Sequence, residues 1–231
     1  MTAHEIIRIE EEDLSCTLCN QRKEKRFCPA VHGRICAQCC GEQREVTLDC
    51  PSDCPYLQQA REHEKPRDAG DLDREALFPG VEIGDHFIYE QEHLILGLSF
   101  ALARSARANR SLTDRDLAAA LTSLAKSYQT LVHSSLIYEE ASTNPAHQTL
   151  IGSMEAMVKE YRAAEEKHMG FSHLRDSDVL KALVFLLRMA LARTSGRPKS
   201  RAFVDFLFAQ FPEKEASIAS PEEAGSRIIV P

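Results

Sequence analysis

Beyond Cys54 the chain has no cysteine, and nowhere does it hold an unbroken apolar run of the roughly 18 residues that a membrane-spanning helix requires. The richest apolar stretch, LILGLSFALA at 94–103, is too short for that role. The first fifteen residues are acidic, where a secretory signal would be basic and then apolar. Also missing are the G-x-S-x-G turn of a nucleophile elbow, the P-loop and the G-x-G-x-x-G fingerprint, so no short motif nominates a catalytic residue. No internal repeat of about 20 to 50 residues is visible. These absences predict a cytoplasmic protein without a membrane partner. In that reducing setting, clustered thiols serve as metal ligands more readily than as disulfides.

What is present is sharply divided. With 231 residues, 43% of them hydrophobic and 27% charged, the chain can build one sizeable core and a small appended module. All eight cysteines, Cys16, Cys19, Cys28, Cys36, Cys39, Cys40, Cys50 and Cys54, fall in residues 1–65. Charged residues with Pro66 and Gly70 then mark a linker over 66–83, a helical domain fills 84–212, and 213–231 form a tail.

The cysteine spacing, C-x2-C-x8-C-x7-C-x2-C-C-x9-C-x3-C, contains three close pairs: Cys16/Cys19, Cys36/Cys39 and Cys50/Cys54. A separation of two or three residues lets one turn present two thiolates to a single tetrahedral ion, with Zn–S distances of about 2.3 Å. Eight thiols divide into two four-ligand sites, which predicts two zinc ions. Cys39 and Cys40 are neighbours whose side chains diverge, which favours sending them to different ions. The resulting pairing is Cys16, Cys19, Cys36 and Cys39 at one site, with Cys28, Cys40, Cys50 and Cys54 at the other. His32 is an alternative ligand in place of Cys40. Iron–sulfur clusters and redox thiols are the competing chemistries; the first suits knuckle pairs less well, and the second lacks the βαβ context of a redox C-x2-C.

Local signals agree with a small finger. Gly41, directly after the Cys39–Cys40 pair, fits a knuckle that needs positive φ. Ser52 or Asp53 can cap a helix whose first turn holds Pro55, with Cys54 near the positive end of the dipole. The crossed pairing resembles the cross-brace logic of RING and B-box fingers, although the spacings match neither, and a ligand at a helix N-terminus resembles the end of a treble clef. The loop QRKEKRF cannot supply a hydrophobic core, so the module is expected to fold only with metal bound.

From residue 84 the apolar period is helical throughout. Helices are predicted near 84–107, 114–140, 145–168, 176–194 and 199–211, with Thr113 and Asn144 as N-caps and Pro145 at a first helical position. DVLKALVFLLRMALAR is apolar nearly all round and should lie at the centre. The fold class is therefore mainly α: a cysteine-rich zinc finger, cross-brace or treble-clef-like, followed by a four- or five-helix bundle. Two Glu-x-x-His pairs, Glu90/His93 and Glu165/His168, have the form of di-iron ligands, but in an antiparallel bundle they fall at opposite ends and read better as a solvated face.

Charge addresses nucleic acid. Residues 1–65 hold 9 Lys and Arg against 12 Asp and Glu, and two Zn(Cys)4 centres add about two negative charges each. Only a local basic patch, Arg22, Lys23, Lys25 and Arg26, with the loop SGRPKSR, favours a phosphate backbone. The leading expectation is a zinc-binding, non-enzymatic protein-interaction module that meets a protein partner or itself. The alternative is a nucleic-acid-associated regulatory factor using that patch. In ICAQCCGEQREVTLDCPSDCPYL, SYQTLVHSSLIYEE and GRPKSRAFVDFL, the chain resembles a family of uncharacterised bacterial proteins with an N-terminal cysteine-rich zinc-binding module and a C-terminal helical domain. That resemblance implies a fold outline and no activity. In the tail, Ile228, Ile229 and Val230 form an apolar end expected to dock on the helical domain or on a second copy.

Overall fold

The structure is a computed structural model that describes residues 15–64, 77–134 and 144–212. Most of the expected linker and the tail with Ile228, Ile229 and Val230 lie outside the described residues. The chain divides into two compact units, Met1–His63 and Glu64–Pro231.

In the first unit two short strands, β1 (Arg26–Cys28) and β2 (Gly33–Ile35), pair antiparallel with Arg26 opposite Ile35 and Cys28 opposite Gly33. Strand alternation buries Cys28 and Ile35 and turns Phe27 and Arg34 outward. The turn between the strands places His32 at φ 48, in the left-handed region. Helix α1 (Ala37–Gln43) begins at Cys36, which occupies its N-cap, and α2 (Pro55–His63) follows Cys54. The Cys54 carbonyl accepts the amides of Leu57 and Gln58, each at 3.0 Å. Cys54 itself therefore stands where Ser52 or Asp53 was expected to cap, and Pro55 takes the first helical position as the sequence suggested.

Gly41 departs from expectation. It lies inside α1 with ordinary helical φ, so it is no knuckle glycine. Among the described residues of this unit, the left-handed ones are instead Asn20 (φ 51), His32 and Glu45 (φ 54). Asn tolerates that region better than most side chains, and Asn20 directly follows the Cys16/Cys19 pair.

The second unit is helical: α3 (Asp85–Glu90), α4 (Glu92–Ala108), α5 (Asp114–Ser134), α6 (Pro145–Met169), α7 (Asp176–Arg193) and α8 (Ala202–Gln210). A break at Gln91 (φ −106) divides the first expected helix into α3 and α4. The α7 helix buries Val179, Leu180, Leu183, Val184, Leu186 and Leu187 and packs most extensively on α5. The near-uniform apolarity of its sequence follows from contact with α4, α5 and α8 together. Asn144 caps α6 by accepting the Ala146 amide at 2.9 Å, and Gly170 ends it in the left-handed conformation (φ 83).

The stretch expected as linker is packed from residue 77 onward. Phe78 and Val81 are buried in the helical core. Arg188 on α7 donates to the carbonyls of Leu77, Phe78 and Val81 at 2.8–2.9 Å. A half-buried guanidinium needs acceptors, and three carbonyls of an irregular segment supply them. No helix among the described residues is long and apolar enough to cross a membrane.

Candidate metal centre

Two turns and one helix bring four sulfurs together. The Cys16 amide donates to the Arg22 carbonyl and the Cys16 carbonyl accepts from Asn20, both at 2.8 Å, which closes the loop that carries Cys16 and Cys19. The Thr17 amide, 3.0 Å from the Arg34 carbonyl, fastens this loop to β2. Cys36 and Cys39 lie one helical turn apart at the start of α1, and the Cys39 amide donates to the Cys36 sulfur at 3.4 Å. The ligand atoms of Cys16, Cys19, Cys36 and Cys39 consequently lie within 4.8 Å of one another. Tetrahedral coordination at about 2.3 Å sets sulfurs about 3.8 Å apart, so this group can hold a metal ion with little movement.

Its electrostatics suit a bound cation. For Cys16 burial opposes ionisation, yet backbone amides of Cys36, Cys19 and Leu18 outweigh it and bring the pKa down to about 6. The Cys39 amide lowers the pKa of Cys36. Cys39 is pushed up to about 12, first because its thiol donates to the Cys36 sulfur and then because it is buried. A cation among the sulfurs would favour the thiolate form of all four. Arg22 adds positive charge, its Nη1 lying 3.9 Å from the sulfurs of Cys36 and Cys39 and 4.0 Å from that of Cys19.

The other four cysteines meet differently. Cys28, Cys40, Cys50 and Cys54 line one pocket with Ile35, Leu48 and Leu57. Cys28, Cys40 and Cys54 are buried, and Cys50 is half-buried. Burial and the neighbouring charges of Cys28 and Cys54 push the Cys50 thiol up, while the Glu45 amide works against them. Arg26 places Nη1 3.7 Å from the Cys40 sulfur and stacks its guanidinium 4.4 Å from the centre of the Tyr56 ring. His32 is exposed at the hairpin turn and does not line the pocket, whereas Cys40 does.

Two members of the expected basic patch, Arg22 and Arg26, are therefore directed at thiols, and Lys23 and Lys25 stand exposed. The loop SGRPKSR is likewise tied down. Ser200 donates to Asp114 at 2.7 Å, and Arg201 donates to the carbonyls of Arg110 and Leu112. Neither Glu-x-x-His pair gathers ligands. Glu90 pairs with His86 at 3.1 Å on an exposed face, across the α3–α4 break from His93. Glu165 accepts from the Ser172 hydroxyl and from the amides of His173 and Leu174. Sequence reasoning missed the arginine–thiol contacts. Their signal is two cations placed close in sequence to Cys19 and Cys28, in a unit otherwise acidic.

No protein-family model matches the chain, and comparison with curated proteins and with solved structures finds no match.

Proposed function

We propose that this is a zinc-binding protein whose first unit is built around a Zn(Cys)4 centre at Cys16, Cys19, Cys36 and Cys39. Its role is that of a cytoplasmic, non-enzymatic protein-interaction module. The observation that carries the reading is the convergence of those four sulfurs within 4.8 Å. A closed set of four thiolates leaves no open position for water or substrate, which is the arrangement of a structural rather than a catalytic zinc. The Arg22 guanidinium beside three of the sulfurs offsets the excess negative charge of such a centre. Phe27, 54% exposed, and Val46, 38% exposed, give the first unit apolar surface for a protein partner or a second copy.

Elemental analysis of protein purified without added metal tests the metal. Zinc bound stoichiometrically with no visible absorption is expected; iron with a brown chromophore would replace this reading with an iron–sulfur one. Elution from heparin at low salt is the expected companion result. Retention into high salt would transfer the role to nucleic acid, through Lys23 and Lys25.

A further inference from the structure

Four thiols remain that the first centre does not use, and they are not scattered. Cys28 ends β1, Cys40 lies on α1, Cys50 precedes the turn into α2, and Cys54 stands before the first residue of α2. These segments of the unit converge on one pocket whose remaining lining is apolar except for Arg26, Arg44 and Tyr56. No carboxylate or imidazole lines it. Four thiols grouped in an apolar pocket without a disulfide among them carry the donor set of a soft, thiophilic cation.

We infer that Cys28, Cys40, Cys50 and Cys54 form a second tetrathiolate zinc site, separate from the first and joined to it through the Cys39–Cys40 peptide bond. The inference rests on reading the first centre as a zinc site.

Helix geometry explains the division. Successive residues of an α-helix point about 100° apart, so α1 sends Cys39 to the first group and Cys40 to the pocket. Each group also has its own arginine: Arg22 reaches three sulfurs of the first, and Arg26, held over Tyr56, reaches Cys40. The Tyr56 ring fixes the Arg26 guanidinium beside the Cys40 sulfur, where its charge would offset the excess negative charge of a tetrathiolate centre. The Glu45 amide supplies a further donor to Cys50, and it does so from the left-handed turn (φ 54) that follows α1. Glu45 is itself fixed by an ion pair with Arg61 at 2.9 Å, so this turn is held in place.

The second group is more open than the first. Among the described residues, only Cys16, Cys19, Cys36 and Cys39 form a set of three or more ligand atoms within 4.8 Å of one another. Cysteine has one side-chain torsion, and moving between its staggered wells shifts the sulfur by about 3 Å, so a bound ion can draw the four together by rotamer change. Cys50, the half-buried member, is the thiol nearest to solvent and the natural point of entry.

Metal counting on the full chain, wild type and two double variants, decides the matter. The wild type is expected to hold two zinc ions, and Cys28→Ser/Cys54→Ser and Cys16→Ser/Cys19→Ser one each. A wild type with one ion, or a Cys28→Ser/Cys54→Ser protein that keeps two, overturns the second site and leaves the first intact. A wild type without zinc overturns the underlying reading instead. Should the variants fail to fold, cobalt titration of metal-free wild type supplies the answer. Sulfur-to-cobalt charge-transfer absorption rising linearly to two equivalents supports two thiolate sites. Absorption that stops at one equivalent refutes the second.

Discussion

At Asp114 the protein replaces a missing cap with a residue from another helix. Arg201, before α8, provides no side-chain cap, and the amides of Phe203 and Val204 donate instead to Asp114 Oδ1 at 3.0 and 3.1 Å. The Ser200 hydroxyl donates to Oδ2 at 2.7 Å, and the Asp114 amide returns a bond to the Ser200 carbonyl at 2.8 Å. Asp114→Ala would strand the Ser200 and Thr194 hydroxyls and two amides at a helix N-terminus. The expected loss is about 2–4 kcal/mol, read by urea unfolding of the helical signal. Burial raises the carboxyl pKa above 3.8 despite these donors. An acid whose folded pKa is raised binds its proton more tightly in the fold than in the unfolded chain. Its contribution is therefore present below its ordinary pKa and is lost as pH rises through the folded value. Relative to wild type, Asp114→Asn should lose that pH-dependent decline; parallel stability curves over about pH 3–7 would contradict this. Asp114 shows why such residues are hard to read in advance. Its sequence position marks it as one more acid in the first turn of α5, and its partners lie some 90 residues away.

At the level of elements, legibility follows distance along the chain. The helices α5, α6 and α7 begin at or beside the expected residues because their signals, Thr113, Asn144 with Pro145, and the start of an apolar period, are local. The close cysteine pairs are equally local, and Cys16, Cys19, Cys36 and Cys39 do come together. The break at Gln91 carries no Pro or Gly, and the packed stretch around Phe78 depends on Arg188 from more than 100 residues away. Gly41 misled because a glycine after two cysteines resembles a knuckle, whereas here the helix simply continues through it. One element contact carries a sharp expectation. A Cβ added at Gly97 on α4 would lie 2.7 Å from Met157 Sδ on α6, so the two helices approach through the absent side chain. Alanine should be nearly neutral, since Met157 can swing aside and helix propensity returns about 1 kcal/mol. Gly97→Val should cost about 1–3 kcal/mol through overpacking. In a Met157→Ala background that cost should shrink; an unchanged cost in thermal unfolding would show that the strain lies elsewhere.

Across the whole molecule, the two units draw on different sources of stability. Among the described residues, the core cluster of the first is Cys16, Cys28, Cys36, Cys39 and Cys40 with Ile35 and Leu48 as aliphatic members, and Leu57 of α2 is buried besides. Each buried aliphatic side chain contributes about 2 kcal/mol, while fixing the backbone costs about 1–2 kcal/mol for every ordered residue. So small a core cannot offset that cost, and the proposed metal binding, worth about 10–16 kcal/mol at a structural zinc site, would be a term large enough to do so. The helical unit has no cysteine and buries leucines along α4, α5 and α7 around Phe203 and Met154. Stripping metal with a chelator should therefore abolish the fold of the first unit and leave the second standing. Far-UV circular dichroism should fall only by the share of the two short helices, α1 and α2. Limited proteolysis should cut first between the cysteines, and zinc should restore protection. If most of the helical signal disappeared with the metal, the helical unit would depend on the first for its stability, and the independence of the two cores would be refuted.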